Sequence, residues 1–224
     1  MRHRAAEVRM YNIGNIFILG DSYSTFEGHI PDGYGSFYVP GGRDNSDVTR
    51  VEETWWYILA DRTCGKVVRN CSFSGTTVCN TGYGGYSPDT SFVGRFDRLA
   101  AEGFFGENRI DTFFILGGTN DDWANSPVGE LKYGDWTDDD LRSCLPAFCY
   151  LLYRIKESVP HARIVNILND VVIKPELILG YREAAEYYGI ECVEIGDFDR
   201  MAGHPTVRGM EEIAEKVANV LEKQ

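Results

Sequence analysis

Histidine is scarce in this sequence. Among 224 residues there are four, His3, His29, His161 and His204, and none stands at a metal-ligand spacing such as H-E-x-x-H, so no metal site is expected. The six cysteines, Cys64, Cys71, Cys79, Cys144, Cys149 and Cys192, include no C-x-x-C pair, which excludes a zinc ribbon. A chain of this length needs no disulfide framework, so reduced and mostly buried thiols are expected. No apolar run approaches the ~18 residues of a membrane span. The polar N-terminus "MRHRAAEVRMYNIGN" lacks the apolar stretch of a signal peptide, and a cytoplasmic location is the expectation, secretion requiring a leader that has been removed. Positive charge is in deficit, with 22 Lys and Arg against 34 Asp and Glu and a net charge of −12. That balance argues against nucleic acid and anionic membranes as partners. Neither G-x-G-x-x-G nor G-x-x-x-x-G-K-[ST] occurs, and no cofactor is expected.

Glycine and aromatic residues are plentiful, and they cluster in long loops between short apolar runs. "NIFIL" (Asn15–Leu19) reads as a buried parallel strand, followed by an irregular stretch from Asp21 to about Glu53. "TWWYILADRT" (Thr54–Thr63) reads as a helix with Thr54 at its N-cap, and "KVVRNC" (Lys66–Cys71) as a second strand. A second Gly-rich loop covers Ser72–Thr90, and Ser91–Phe104 has helical spacing. "IDTFFIL" (Ile110–Leu116) is a third strand, again followed by a loop. A helical region runs from Asp138–Asp140 to about Val159, where Pro146 should kink or divide it. "ARIVNIL" (Ala162–Leu168), a helix over Lys174–Gly189, "IECVEI" (Ile190–Ile195) and a closing amphipathic helix complete the chain.

Five strands alternating with helices predict a three-layer α/β/α sandwich around a five-stranded parallel sheet, with flavodoxin-like winding. The length suits a single domain over 1–224, with 1–13 as a flexible extension. In such sheets ligands bind beyond the carboxyl ends of the strands. Four short blocks fall there: "GDS" after strand one, "NCSFSGTT" after strand two, "GGTND" after strand three and "GHPT" before the last helix. Each alone is compatible with a turn or a cap. Ser22 is presented at the sheet edge, but not in the G-x-S-x-G form of a nucleophile elbow. His204 is the one histidine at this end that a strand and a helix fix, since His3 lies in the tail, His161 at the opposite end and His29 in the first loop.

In this order the four blocks resemble the SGNH hydrolases, also called the GDSL esterase/lipase superfamily, over nearly the whole chain. The resemblance implies a serine esterase with Ser22 as nucleophile and His204 as base. It implies an oxyanion hole from the Ser22 N–H, the Gly75 N–H and the Asn120 side chain. Asp21 and Asp121 resemble the family's loop-bracing acids. A serine hydroxyl needs such a base, and fixed donors stabilise the charge on the former carbonyl oxygen.

One departure stands out. The family pattern places the triad acid three residues before the histidine, and here that residue is Met201. Three outcomes are open: a displaced Asp199 or Asp197 orients His204, a backbone carbonyl does so in a Ser-His dyad, or the site is silent. The loops also carry Tyr23, Phe26, Tyr34, Tyr38, Tyr83, Tyr86, Trp123, Tyr133 and Trp136, which suit sugar rings or loop packing. Tyr83 and Trp123 are the candidates for substrate binding. The expected activity is hydrolysis of a short-chain acyl ester, with a small molecule or an acetylated carbohydrate as substrate. A catalytically silent carbohydrate- or ligand-binding domain on the same fold is the alternative. Nothing in the sequence specifies an oligomeric state.

Overall fold

The computed structural model describes residues 12–223. The extension expected over 1–13 lies almost wholly outside them. Five parallel strands form the sheet: β1 (Asn15–Gly20), β2 (Lys66–Asn70), β3 (Thr112–Leu116), β4 (Arg163–Leu168) and β5 (Glu191–Glu194). Their spatial order is β2-β1-β3-β4-β5. The chain therefore winds one way from β1 to β2 and the other way from β3 onward. The loops after β1 and β3 start at that reversal, the place where sheets of this kind bind ligands.

Side chains alternate across the sheet as the strand period of two requires. Phe17, Leu19, Phe113 and Ile115 face one helical layer, built on α2 (Phe92–Ala101), α5 (Cys144–Ser158) and α6 (Pro175–Tyr187). Ile16, Ile18, Phe114 and Leu116 face the other, built on α1 (Trp55–Arg62) and α7 (Val207–Leu221). On α7 the apolar positions Met210, Ile213, Val217 and Leu221 recur at helical spacing and are buried. Each such side chain contributes ~1.5–3 kcal/mol when removed from water.

Two short helices complete the set: α3 (Phe104–Glu107) and α4 (Thr119–Trp123). The region predicted as one helix from Asp138 to Val159 is two elements. A single 3-10 turn covers Asp140–Arg142, and α5 starts only at Cys144. Pro146 therefore sits in the first turn of α5. Its missing N–H has no intrahelical partner to lose there, so it neither kinks nor divides the helix. Among the described residues no helix is long and apolar enough to cross a membrane.

Candidate active site

Ser22 opens a 3-10 turn (Ser22–Ser24) at the carboxyl end of β1. Asp21 caps that turn, its Oδ1 accepting the Tyr23 N–H at 3.0 Å. The Asp21 N–H donates to the Leu116 carbonyl at the end of β3, at 3.3 Å. Burial pushes the Asp21 carboxyl up to about 7, against the pull of the Tyr23 N–H.

His204 arrives from the far end of the chain on a hairpin. Arg200–Met201 pairs antiparallel with His204–Pro205, and Met201 stands directly opposite His204. The connecting pair has φ of +49° at Ala202 and +81° at Gly203. Two successive left-handed residues make the tight two-residue turn that suits a hairpin. His204 Nε2 lies 3.0 Å from Ser22 Oγ, and Nδ1 lies 3.2 Å from the Ala202 carbonyl oxygen. With Nδ1 as the protonated nitrogen, that carbonyl accepts and Nε2 is free to accept from Ser22.

Neither candidate aspartate reaches the imidazole. Asp199 accepts from the Thr206 hydroxyl at the N-cap of α7, and its N–H donates to Glu212 at 2.8 Å. Asp197 pairs with Arg200. Met201 is 43 % exposed. The hairpin is instead held by two buried tyrosines. Tyr23 Oη donates to the Gly203 carbonyl at 2.6 Å, and Tyr38 Oη to the Pro205 carbonyl at 2.9 Å. The Phe37 ring stacks on the imidazole at 3.5 Å with an interplanar angle of 5°. Burial holds the His204 pKa below its ordinary value, and the Arg43 charge lowers it further, against the Ala202 carbonyl.

Besides Ser22, the residues expected to form an oxyanion hole come from the loops after β2 and β3. Gly75 has φ of +77°, a left-handed conformation that favours glycine. Among the described residues neither the Ser22 N–H nor the Gly75 N–H has a hydrogen-bond acceptor. Asn120, in the first turn of α4, donates from Nδ2 to the Thr76 carbonyl at 3.0 Å and to Asp21 Oδ2 at 3.4 Å. Its amide thus lies between the residues adjoining Gly75 and Ser22. The neighbouring Asp121 grips the same loop, accepting the N–H groups of Val78 at 2.8 Å and Cys79 at 3.1 Å. Asp121, Cys79 and Cys144 offer ligand atoms within 4.8 Å of one another. The carboxylate oxygens are already taken by backbone N–H groups, so this buried trio works as a clamp on the loop.

Arg95 is a site residue that sequence reasoning missed. It lies on α2, wholly buried, and donates to the Thr90 carbonyl at 2.9 Å, the Gly20 carbonyl at 3.1 Å, Thr76 Oγ1 at 3.1 Å and the Cys71 carbonyl. It ties the ends of β1 and β2 to the loop that carries Gly75. Its place within a helical repeat gave no sign of this, because three of the four acceptors, Gly20, Cys71 and Thr76, lie 19 to 75 residues away in sequence.

The loop aromatics divide by burial. Tyr23, Phe26 and Tyr38 are buried and pack the site from behind, while Tyr34 stacks on Phe73 at 4.7 Å. Tyr133 stacks on Tyr187 of α6 at 3.9 Å, and Trp136 packs against Tyr150 of α5. Tyr83, Tyr86 and Trp123 remain exposed. Trp123 leans over the histidine hairpin, edge to face with His204 at 6.4 Å. A Cβ at Gly203 would come within 3.0 Å of its ring.

Residues 14–221 match the model of the GDSL-like lipase/acylhydrolase family. The chain belongs to this family. Two solved structures agree. A protein described as a GDSL-like lipase from Bacteroides ovatus is 40 % identical, with a TM-score of 0.87, 94 % of this chain and 98 % of that one being covered. Its counterpart from Bacteroides uniformis is 42 % identical, with a TM-score of 0.86 and coverage of 94 % and 96 %. A family two carbohydrate esterase from Clostridium thermocellum, solved with cellohexaose, shares the fold at 17 % identity and a TM-score of 0.65, with 95 % of this chain and 64 % of that one covered. None of the curated proteins compared with the chain matches it. Membership of the family supports a hydrolase acting on esters.

A role for Asn120 in that hydrolysis has a measurable consequence. Asn120→Ala is expected to lower kcat by ~10²–10³-fold with a smaller change in KM, as for other side-chain oxyanion donors. Steady-state kinetics on a short-chain ester check this, and an effect confined to KM would place Asn120 in substrate binding.

Proposed function

We propose that the protein is a serine esterase that hydrolyses short-chain acyl esters through a Ser22–His204 dyad, with an acetylated carbohydrate as its substrate class. The observation that carries this reading is the pair of contacts on His204: Nε2 at 3.0 Å from Ser22 Oγ and Nδ1 at 3.2 Å from the Ala202 carbonyl. Ser22 Oγ attacks the acyl carbon as its proton passes to Nε2. The negative charge that develops on the former carbonyl oxygen is met by the Ser22 and Gly75 N–H groups and by Asn120 Nδ2. The imidazolium gives its proton to the departing alkoxide, which leaves an acyl group on Ser22. A water molecule then attacks the acyl carbon as its proton passes to His204, and the imidazolium returns that proton to Ser22 Oγ as the acyl bond breaks and the acid leaves.

A carbonyl oxygen orients the ring and fixes its tautomer but carries no full charge. Part of the imidazolium's stabilisation therefore falls to other groups. The Phe37 ring, parallel to the imidazole, offers its electron-rich face to the cation as it forms. The exposed faces of Tyr83, Tyr86 and Trp123 suit the apolar faces of a sugar ring, which supports a carbohydrate alcohol.

A panel of p-nitrophenyl esters from acetyl to decanoyl, together with an acetylated xylo-oligosaccharide, tests the reading. The highest kcat/KM is expected at acetyl to butyryl, at least ~10-fold above decanoyl, with acetate released from the oligosaccharide. Each methylene that finds no apolar pocket forgoes about 0.8 kcal/mol of transfer free energy. Activity that rises steadily to decanoyl, with no acetate released, would contradict the substrate class.

A further inference from the structure

Asn120 offers a donor to the reacting oxygen only if its side-chain amide faces the right way. A half turn about its last side-chain bond exchanges NH2 and oxygen with almost no change of shape. On one side the amide NH2 meets the Thr76 carbonyl at 3.0 Å and, more loosely, Asp21 Oδ2 at 3.4 Å. On the other side, its oxygen accepts the Tyr83 hydroxyl at 3.1 Å. Among the described residues this is the only hydrogen bond that Asn120 Oδ1 accepts.

Tyr83 is placed for this contact by a hairpin of its own. Thr81 pairs with Tyr86 and Gly82 with Gly85, which leaves Tyr83 and Gly84 as the two turn residues. The base of the hairpin is tied down where Ser126 Oγ donates to the Thr81 carbonyl at 2.7 Å and the Ser87 N–H to the Asn80 carbonyl at 2.9 Å. The Tyr83 ring is 58 % exposed, yet its hydroxyl reaches in to an amide that is only 4 % exposed. The hydroxyl is therefore engaged within the protein although the residue as a whole is exposed.

We infer that Tyr83 is a positioning residue, whose hydroxyl holds the Asn120 amide with its NH2 turned toward the oxyanion. This rests on the esterase reading of the same site and adds a second function to a residue otherwise suited to stacking against substrate. Two effects combine. The flipped amide would turn its oxygen toward the Thr76 carbonyl and Asp21 Oδ2, and the hydroxyl, donating to Oδ1, reinforces the orientation that these two acceptors set. It also polarises the amide, because a hydrogen bond to the carbonyl end strengthens the N–H donors at the other. Burial, together with the Asp21 and Asp121 charges, raises the Tyr83 phenol above its ordinary range, so the O–H stays a donor at neutral pH.

A double-mutant cycle tests this. Tyr83→Phe keeps the ring and removes only the hydroxyl. It is expected to lower kcat on p-nitrophenyl acetate by about 5–20-fold, with KM changed less than ~2-fold, the pattern of an interaction felt in the transition state. Inhibition by phenylboronic acid, which forms a tetrahedral adduct on the nucleophilic serine, should weaken by a similar factor. In an Asn120→Ala background the same change should lower kcat by less than ~2-fold, because the amide it acts through is gone. Equal losses in both backgrounds, or a change in KM alone, would overturn the inference and leave Tyr83 as a substrate contact. Should the unsubstituted enzyme fail both to turn over the ester and to bind the boronate, the esterase reading itself would fall, and the inference with it.

Discussion

Replacing Ser22 by alanine is expected to lower ester turnover by ~10³-fold or more and to leave the fold intact. The size of the effect follows from what the hydroxyl does. In the proposed mechanism it is the atom that forms the acyl bond, and a water taking its place is not held in position by a covalent link. The loss should not be total, because the proposed oxyanion donors, the N–H groups of residue 22 and Gly75 and the Asn120 side chain, remain. The fold should survive because the change removes a single hydroxyl and none of the bonds that hold the turn. That hydroxyl bonds to His204, whereas the 3-10 turn is held by Asp21 and by Thr25 Oγ1 donating to the Ser22 carbonyl at 2.9 Å. Turnover of p-nitrophenyl acetate and a thermal melt of the same preparation check both halves.

His204→Ala should be as damaging, at ~10³-fold or more, while Asp199→Asn and Asp197→Asn should each lower activity by less than about tenfold. The contrast follows from geometry. Both aspartates are committed elsewhere, Asp199 to Thr206 and Asp197 to Arg200, and the carbonyl of Ala202 occupies the place beneath Nδ1. The same hairpin sets the pH dependence. As the proposed base, His204 must be neutral to accept the Ser22 proton, so activity should be present above its pKa and lost as pH falls through it. Burial lowers that pKa, with no carboxylate on Nδ1 to raise it, so the acid limb of kcat/KM should lie below the usual histidine value near 6.5. Asp21, whose carboxyl is raised to about 7, titrates close by. The limb should therefore persist in Asp21→Asn, which separates the two groups. A limb above 6.5 in that variant would point to a carboxylate on His204 after all.

Much of the architecture was legible because it rests on apolar runs. All five strands announced themselves as short stretches such as "NIFIL" and "IDTFFIL", and a parallel sheet buried on both faces needs little else from its strands. The positions of Ser22, Gly75, Asn120 and His204 at one end of that sheet followed from the strand ends alone. What holds them was hidden. The histidine hairpin has strands of only two residues, too short for any periodicity, and its turn depends on Ala202 adopting a left-handed conformation that its identity does not suggest. Tyr23 and Tyr38 looked like candidates for a sugar surface, but their hydroxyls reach the Gly203 and Pro205 carbonyls across more than 160 residues of sequence. Arg95 was invisible for the same reason. A charged residue in an amphipathic helix reads as solvated until acceptors at the ends of two strands and in the loop after the second converge on it.

The most direct test of the dyad is intact-protein mass spectrometry after exposure to a fluorophosphonate, with peptide mapping of the adduct. A serine activated by His204 should take up one phosphonyl group, mapped to Ser22. The adduct should form at least ~10²-fold more slowly in His204→Ala and at a nearly unchanged rate in Asp197→Asn and Asp199→Asn. No adduct at Ser22 in the unsubstituted protein, or a rate in either aspartate variant that falls as far as in His204→Ala, would contradict the account.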